Sequence, residues 1–208
     1  MLEGRTPGLL NVPGVGPIQF DQWTEDWMYD RISLTIDSAI AVGTEYEFFT
    51  SLTNKNKADT NMTEEQKLPQ GWSMIVQKMG LWIPGKSADA TNADLPKTDF
   101  CNIVENSYIR FETGNQKIRR QAPTWAWPCG LGMTGMKAQD ETASGPIVRN
   151  VLNIGAPTLG AVTPLLVPIR LTNQMPFKAI IRFEVATTPT EIDQIFFGLY
   201  GLISRPLQ

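Results

Sequence analysis

The sequence predicts an all-β protein: an antiparallel jelly-roll β-sandwich of about eight or nine strands with long loops. Three observations carry this prediction. Apolar residues alternate with polar ones in several short segments, the period of a strand with one buried face. The 17 glycines and 15 prolines are spread over all 208 residues, so turns punctuate the whole chain. No long apolar stripe of helical period interrupts them.

The opening "MLEGRTPGLLNVPGVGP" is rich in Gly and Pro and weakly patterned. Residues 1–20 therefore read as an extended N-terminal arm rather than a packed element, and residues 21–208 as one domain without an internal repeat. In "FDQWTEDWMYD", Trp23 and Trp27 lie four apart and would share one face of a short helix capped by Asp21. From Arg31 the period becomes two, and Ile32, Leu34 and Ile36 would face a core. In "TEYEFFTSL", Tyr46 and Phe48 take one face, Glu45 and Glu47 the other. The polar "NKNKADTNMTEEQKLPQG" is a long loop with a turn of helix around Thr63–Lys67.

"WSMIVQKMGLWIPG" is a long strand ended by Pro84-Gly85, and "KSADATNADLPKTD" is a second polar loop. "CNIVENSYIRFETGNQKIRRQ" reads as a hairpin turning at Gly114-Asn115, with Ile109 and Phe111 inward, Arg110 and Glu112 outward. After a loop near "AQDETASGP" come four strand segments. They are "IVRNVLNIG", "LLVPIRL" with Val167, Ile169 and Leu171 inward, "KAIIRFEVA" with Ile181, Phe183 and Val185 inward, and "IDQIFFGLYGLISRP", bent at Gly198 or Gly201.

Composition narrows the chemistry. The chain contains no histidine, which removes Ser-His-Asp and Cys-His catalysis and nearly all catalytic zinc or iron sites, so no catalytic, metal or cofactor-binding residue is assigned. A cupin-type enzyme, which shares the barrel architecture but generally binds its metal through histidine, is disfavoured for the same reason. The net charge is −3, and neither end carries a basic tail, so direct nucleic-acid binding is not expected. The cluster Lys117, Arg119 and Arg120 reads as a solvated or interface face. No apolar run reaches a signal peptide's core or the ~20 residues that span a bilayer. The sequon at Asn61-Met62-Thr63 would matter only in a secreted chain.

Several local patterns invite a sharper reading. Gly130, Gly132 and Gly135 in "APTWAWPCGLGMTG" match G-x-G-x-x-G, but Pro123 and Pro128 break the strand that should precede it, no helical stripe follows, and position 150 is Asn. Cys129 lacks a partner that would lower its pKa, and with Cys101 it makes no disulfide framework. Carboxylate pairs (Asp26 with Asp30, Glu64 with Glu65) and the Asp89, Asn92, Asp94 loop read as surface charge rather than glycosidase or calcium sites. Trp125 and Trp127, two apart, would face opposite sides of an extended segment, one toward the core and one toward a neighbour.

The segments "TEYEFFTSLTNKNKADTNM", "KLPQGWSMIVQKMGLWIP", "FETGNQKI", "PTWAWPCGLGMTG", "NIGAP", "VPIRLTNQMPFKAIIRFE" and "FFGLYGLISRPLQ", in that order, resemble jelly-roll coat proteins of tailless icosahedral bacterial viruses. The likeness is to the upright single jelly-roll type, whose virions often enclose a lipid membrane. It spans roughly residues 30–208 and lies in order and compositional style. It implies a structural virion protein, made in a host cytoplasm, that self-assembles into capsomers of an icosahedral shell with strands roughly perpendicular to the shell surface. Its partners would be copies of itself, other capsid proteins and, where the virion has one, an internal membrane. Trp23, Trp27, Trp125 and Trp127 are the candidate assembly residues. The alternative is a β-sandwich carbohydrate- or receptor-binding module of spike type, with Trp72, Trp125 and Trp127 as stacking platforms.

Overall fold

The computed structural model describes residues 9–12, 16–19, 22–83, 95–114, 116–127, 133–142, 145–154, 163–190 and 192–205. In chain order these form β1 (Leu9–Val12), β2 (Gly16–Gln19), β3 (Trp23–Ser33), β4 (Glu45–Phe48), β5 (Ser73–Trp82), α1 (Leu95–Glu105), β6 (Ser107–Thr113) and β7 (Lys117–Pro123). They continue with β8 (Met133–Thr142), β9 (Gly145–Ile154), β10 (Thr163–Thr172), β11 (Phe177–Phe183) and β12 (Gln194–Ser204).

Eight of these strands make two four-stranded antiparallel sheets, ordered β10-β5-β12-β3 and β4-β11-β6-β7. Among those eight, the chain changes sheet at every step except the β6–β7 hairpin. That is the two interleaved Greek keys of a jelly roll, so the predicted all-β class is the observed one. Alternation puts one face of each strand into a common core: Met28, Ile32 and Leu34 from β3 and its end, Ile109 and Phe111 from β6, Ile181 and Phe183 from β11, and Ile195, Phe197 and Leu199 from β12.

Several elements depart from expectation, each for a physical reason. The Trp23–Trp27 segment is strand, not helix. Residues four apart share a face in either state, and eleven consecutive pairings with β12 favour the strand. The N-terminal residues do not form an unpacked arm where they are described. β1 and β2 pair as a hairpin, and Val12 and Ile18 bury against Ile75, Leu202 and Trp23. The end of the second polar loop, from Leu95, and the segment from Cys101 give way to α1, which begins one residue before Pro96 and ends before β6; residues 86–94 of that loop lie outside the described residues. Proline is compatible with a first turn because its missing N–H has no intrahelical partner there. The helix is held by Ile103 and Phe100 in the core, and by Asp99, which accepts hydrogen bonds from the backbone N–H groups of Thr190 (2.7 Å) and Ile192 (3.0 Å).

Thr63–Lys67 forms turns rather than a helical turn. The "AQDETASGP" segment is strand where it is described: β8 runs through Thr142 and, among the described residues, pairs only with β9, in a separate two-stranded sheet. Val167 is 70% exposed rather than inward, because β10 bulges there. Val185 lies beyond the end of β11 and is exposed, and Ile36 lies beyond β3 and is half-buried. Glu112 is buried beside Arg110 rather than turned to solvent, next to a register shift between Phe111 and Glu112.

Candidate functional site

The two sheets have outer faces of opposite chemistry. On the β4-β11-β6-β7 sheet the outer face is ionic. Arg110 forks onto both oxygens of Glu45 at 3.0 Å and reaches Glu112 at 2.7 Å, while Lys178 pairs with Glu47 at 2.5 Å and Arg182 sits 3.5 Å from Glu45. The hydrogen bond from Arg110 holds the Glu45 carboxyl below the ordinary carboxylate range, against an opposing push from partial burial. A depressed carboxyl contributes stability above its unfolded pKa and loses it as pH falls through the folded one. Glu45→Gln is therefore expected to be less stable than the parent at neutral pH by about 0.5 kcal/mol, the scale of exposed ion pairs. Urea unfolding should show that gap closing as pH drops below the ordinary carboxylate range; a gap independent of pH would refute the assignment.

On the other sheet the outer face is aromatic. Along β12, Phe196, Gly198, Tyr200 and Leu202 point outward because Phe197, Leu199 and Ile203 point in. Leu202 lies under the β1–β2 hairpin together with Ile75 and Trp23. One step along, Tyr200 packs against Trp27 with ring centres 5.1 Å apart. Its hydroxyl donates to Glu25 at 2.8 Å, and Lys78 lies 5.6 Å from its ring centre. The bond to Glu25 and burial raise the pKa of the Tyr200 phenol.

The next rung is bare. Gly198 faces Gly80 on β5 and Tyr29 on β3. The Trp27 ring leans over this gap, so close that a Cβ at Gly198 would lie 2.9 Å from its Cζ3. Beyond it Trp82 and Phe196 pack at 4.8 Å. The result is a slot of about 360 Å³ with a glycine floor, aromatic walls and Ala58 at its rim.

The rim is held by a loop on the β3 edge. The Asn61 side chain accepts from Tyr29 N–H (2.9 Å) and donates to Trp27 C=O (2.6 Å), and Thr60 Oγ1 donates to Tyr29 C=O (3.0 Å). Tyr29 Oη donates to Lys57 C=O. These bonds satisfy an edge strand that would otherwise expose its ladder. They also give Asn61 a structural use, with its amide engaged at both ends.

The four candidate tryptophans thus separate. Trp23 and Trp27 share the aromatic outer face. Trp125 and Trp127 flank Ala126 in a 3-10 turn over Thr124–Ala126. Trp127 is 1% exposed: it donates to Ala122 C=O, packs on Phe197 and lies under the Arg120 guanidinium at 4.7 Å. Trp125 is 65% exposed. Trp72 is covered by Arg205 at 4.8 Å, so of the three proposed stacking platforms only Trp125 presents a free ring.

The basic cluster is divided too. Arg120 is spent on Trp127, and burial lowers its pKa; Arg119 donates to Thr113 Oγ1 at 2.6 Å; Lys117 is exposed. Asp26 and Asp30 lie four residues apart on a strand, about 13 Å, too far for a glycosidase pair. Asp26 pairs with Arg205, and Asp30 is buried against Lys55. Glu65 accepts from Leu52 N–H.

Cys101 is half-buried on α1. Cys129, Gly130, Gly132, Asp89, Asn92 and Asp94 lie outside the described residues. Gly135 lies within β8, so the segment after the glycine pattern is strand rather than the helix a dinucleotide site needs. Among the described residues, no group of three or more His, Cys, Asp or Glu could hold a metal ion, and no helix is long and apolar enough to cross a membrane. No protein-family model, curated protein or solved structure matches the chain.

Proposed function

We propose that this chain is a structural subunit of a viral shell, a jelly-roll coat protein that assembles with copies of itself and with other capsid proteins. A jelly roll carries many functions, so the weight falls on the surface rather than the fold. The observation that carries the reading is the outer face of the β10-β5-β12-β3 sheet. Phe196, Trp27, Trp82 and Gly198 form an aromatic slot there, and Leu166 and Val167 stand exposed at the sheet edge. Aromatic residues with few charges are the composition of an interface core, and exposed apolar patches on a lone chain mark contacts. The outer face of the opposite sheet is laced with ion pairs instead, so the aromatic slot lies on one side of the sandwich.

Purified protein is expected to form defined oligomers or closed particles as its concentration rises, seen by sedimentation and negative-stain electron microscopy. A chain that stays strictly monomeric at high concentration would sink the proposal.

A further inference from the structure

We propose that one subunit contact of this assembly is a knob and a slot: the Leu166–Val167 bulge of one copy seats in the Gly80/Gly198 slot of the next. The inference rests on the self-assembly reading above and names the surface that performs it.

The knob is built by register. Pro164 pairs with Lys78 and Ile169 with Val76, so the four residues Leu165–Pro168 stand opposite Gln77 alone. Bulges at sheet edges re-aim side chains, and β10 is the edge strand of its sheet. Leu165 turns back onto the core, whereas Leu166 is 100% exposed and Val167 70%. Edge strands are ordinarily blunted with charge, Pro or a bulge that hides them. Here two prolines bracket the bulge, which removes two backbone donors from the edge. The pair on its tip is nevertheless aliphatic. The edge is thus protected against strand addition while offering an apolar plug.

The slot has the matching chemistry. Its floor is two glycines on one rung, and its walls are the rings of Trp27, Trp82 and Phe196. Small-molecule sites of this volume place a few convergent polar groups to fix a ligand. In this slot the Tyr29 hydroxyl is spent on Lys57 C=O and Trp82 Nε1 is buried, so neither is presented to a ligand. Aliphatic side chains need no such groups.

Placement on the sheet gives the direction of the contact. The knob is on β10 at one edge, and the slot's rim is formed by Tyr29 on β3 and by Ala58 beside it, at the other. Knob and slot are different patches, so the contact is heterologous. Copies would add head to tail, side by side, and close as a ring when the rotation permits. A second copy of this chain is thus the occupant that carries the plug in the right place.

The test uses two surface variants of the full chain. Leu166→Asp puts a charge on the knob, and Ala58→Glu puts one on the slot's exposed rim. Each alone is expected to move the assembly midpoint, read by sedimentation, to at least about tenfold higher concentration, the scale of losing a central anchor. Leu166→Met should stay near the parent. The equimolar mixture is the decisive arm. It retains one good knob and one good slot per pair, so it should recover a species of twice the 23.1 kDa chain mass and stop there. Far-UV circular dichroism confirms that each variant is folded; should Leu166→Asp misfold, Val167→Asp replaces it. If the parent assembles and both folded variants assemble equally well, the contact is wrong and the shell reading survives. A mixture that stays monomeric also removes the contact. If the parent never assembles, the shell reading falls and takes the contact with it.

Discussion

Gly201→Ala is expected to destabilise the protein by about 3 kcal/mol or more, at the upper end of what overpacking costs. The reason is a backbone contact, not a lost side chain. Between Tyr200 and Gly201 the β12–β5 register shifts, because Gln77 is an extra residue on β5. The bulge pushes the β5 backbone onto β12. A Cβ at Gly201 would sit 1.9 Å from the Ile75 carbonyl oxygen, 2.9 Å from its carbon and 3.0 Å from Gln77 N. All three are backbone atoms, and β12 is an interior strand paired on both sides, so neither neighbour can retreat without breaking a ladder. Gly198→Ala is the internal control. Its new Cβ would crowd only the Trp27 indole, a side chain that can rotate away, with Met28 C=O at an ordinary 3.9 Å, and about 1 kcal/mol is expected. Chemical denaturation of the two variants separates the cases. Equal midpoints for Gly201→Ala and the parent would mean that the bulge is wrongly placed.

These two glycines also show what the sequence could and could not reveal. Either was a candidate for a bend in the last strand, and the register shift falls at Gly201. Gly198 instead makes room for a ring on the outer face, which depends on Trp27 arriving from the other end of the chain. The slot was illegible for the same reason. Gly80 and Gly198 are far apart in sequence, and only the pairing register sets them on one rung. Strands with strict alternation were legible, because Ile109/Phe111 and Ile181/Phe183 obey a period that needs no knowledge of partners.

Alternation misled at Val167, where a bulge broke the parity; Pro164 and Pro168 were the available warning, since proline in a strand marks an edge or a bulge. The helix α1 was missed because its first turn is polar and carries a proline. Its signal was Phe100, Ile103 and Val104 at helical spacing, a stripe only one turn long. The tryptophan pair in β3 is ambiguous in principle, since a spacing of four places two side chains on one face in a helix and in a strand alike.

Lys55→Met is expected to cost about 3 kcal/mol although Lys55 belongs to a surface loop. Lys55 Nζ lies 2.8 Å from both oxygens of Asp30, which is wholly buried on the inward side of β3. The same carboxylate accepts the N–H of Phe49 at 2.6 Å. That bond matters because Phe49 has φ of 68°, a left-handed conformation costly for a bulky side chain. The strain is held by fixing Phe49 at both ends, with Asp30 on its N–H and Gln66 N–H on its carbonyl (2.7 Å). Its ring then fills the core between Phe177 and Phe197. Removing the lysine leaves an uncompensated buried charge, which is where breaking a buried pair is severe. The lysine side chain is 13% exposed, so water softens the loss toward the lower end of that range. The double variant Asp30→Asn/Lys55→Met removes both charges but keeps an oxygen able to accept from Phe49. It should be more stable than Lys55→Met alone, the sign of coupling that distinguishes a stranded charge from a loosened loop. Denaturant midpoints of the two singles and the double complete the cycle. A Lys55→Met chain within about 0.5 kcal/mol of the parent, the range of an ordinary surface substitution, would show that the pair does not hold this corner of the sandwich.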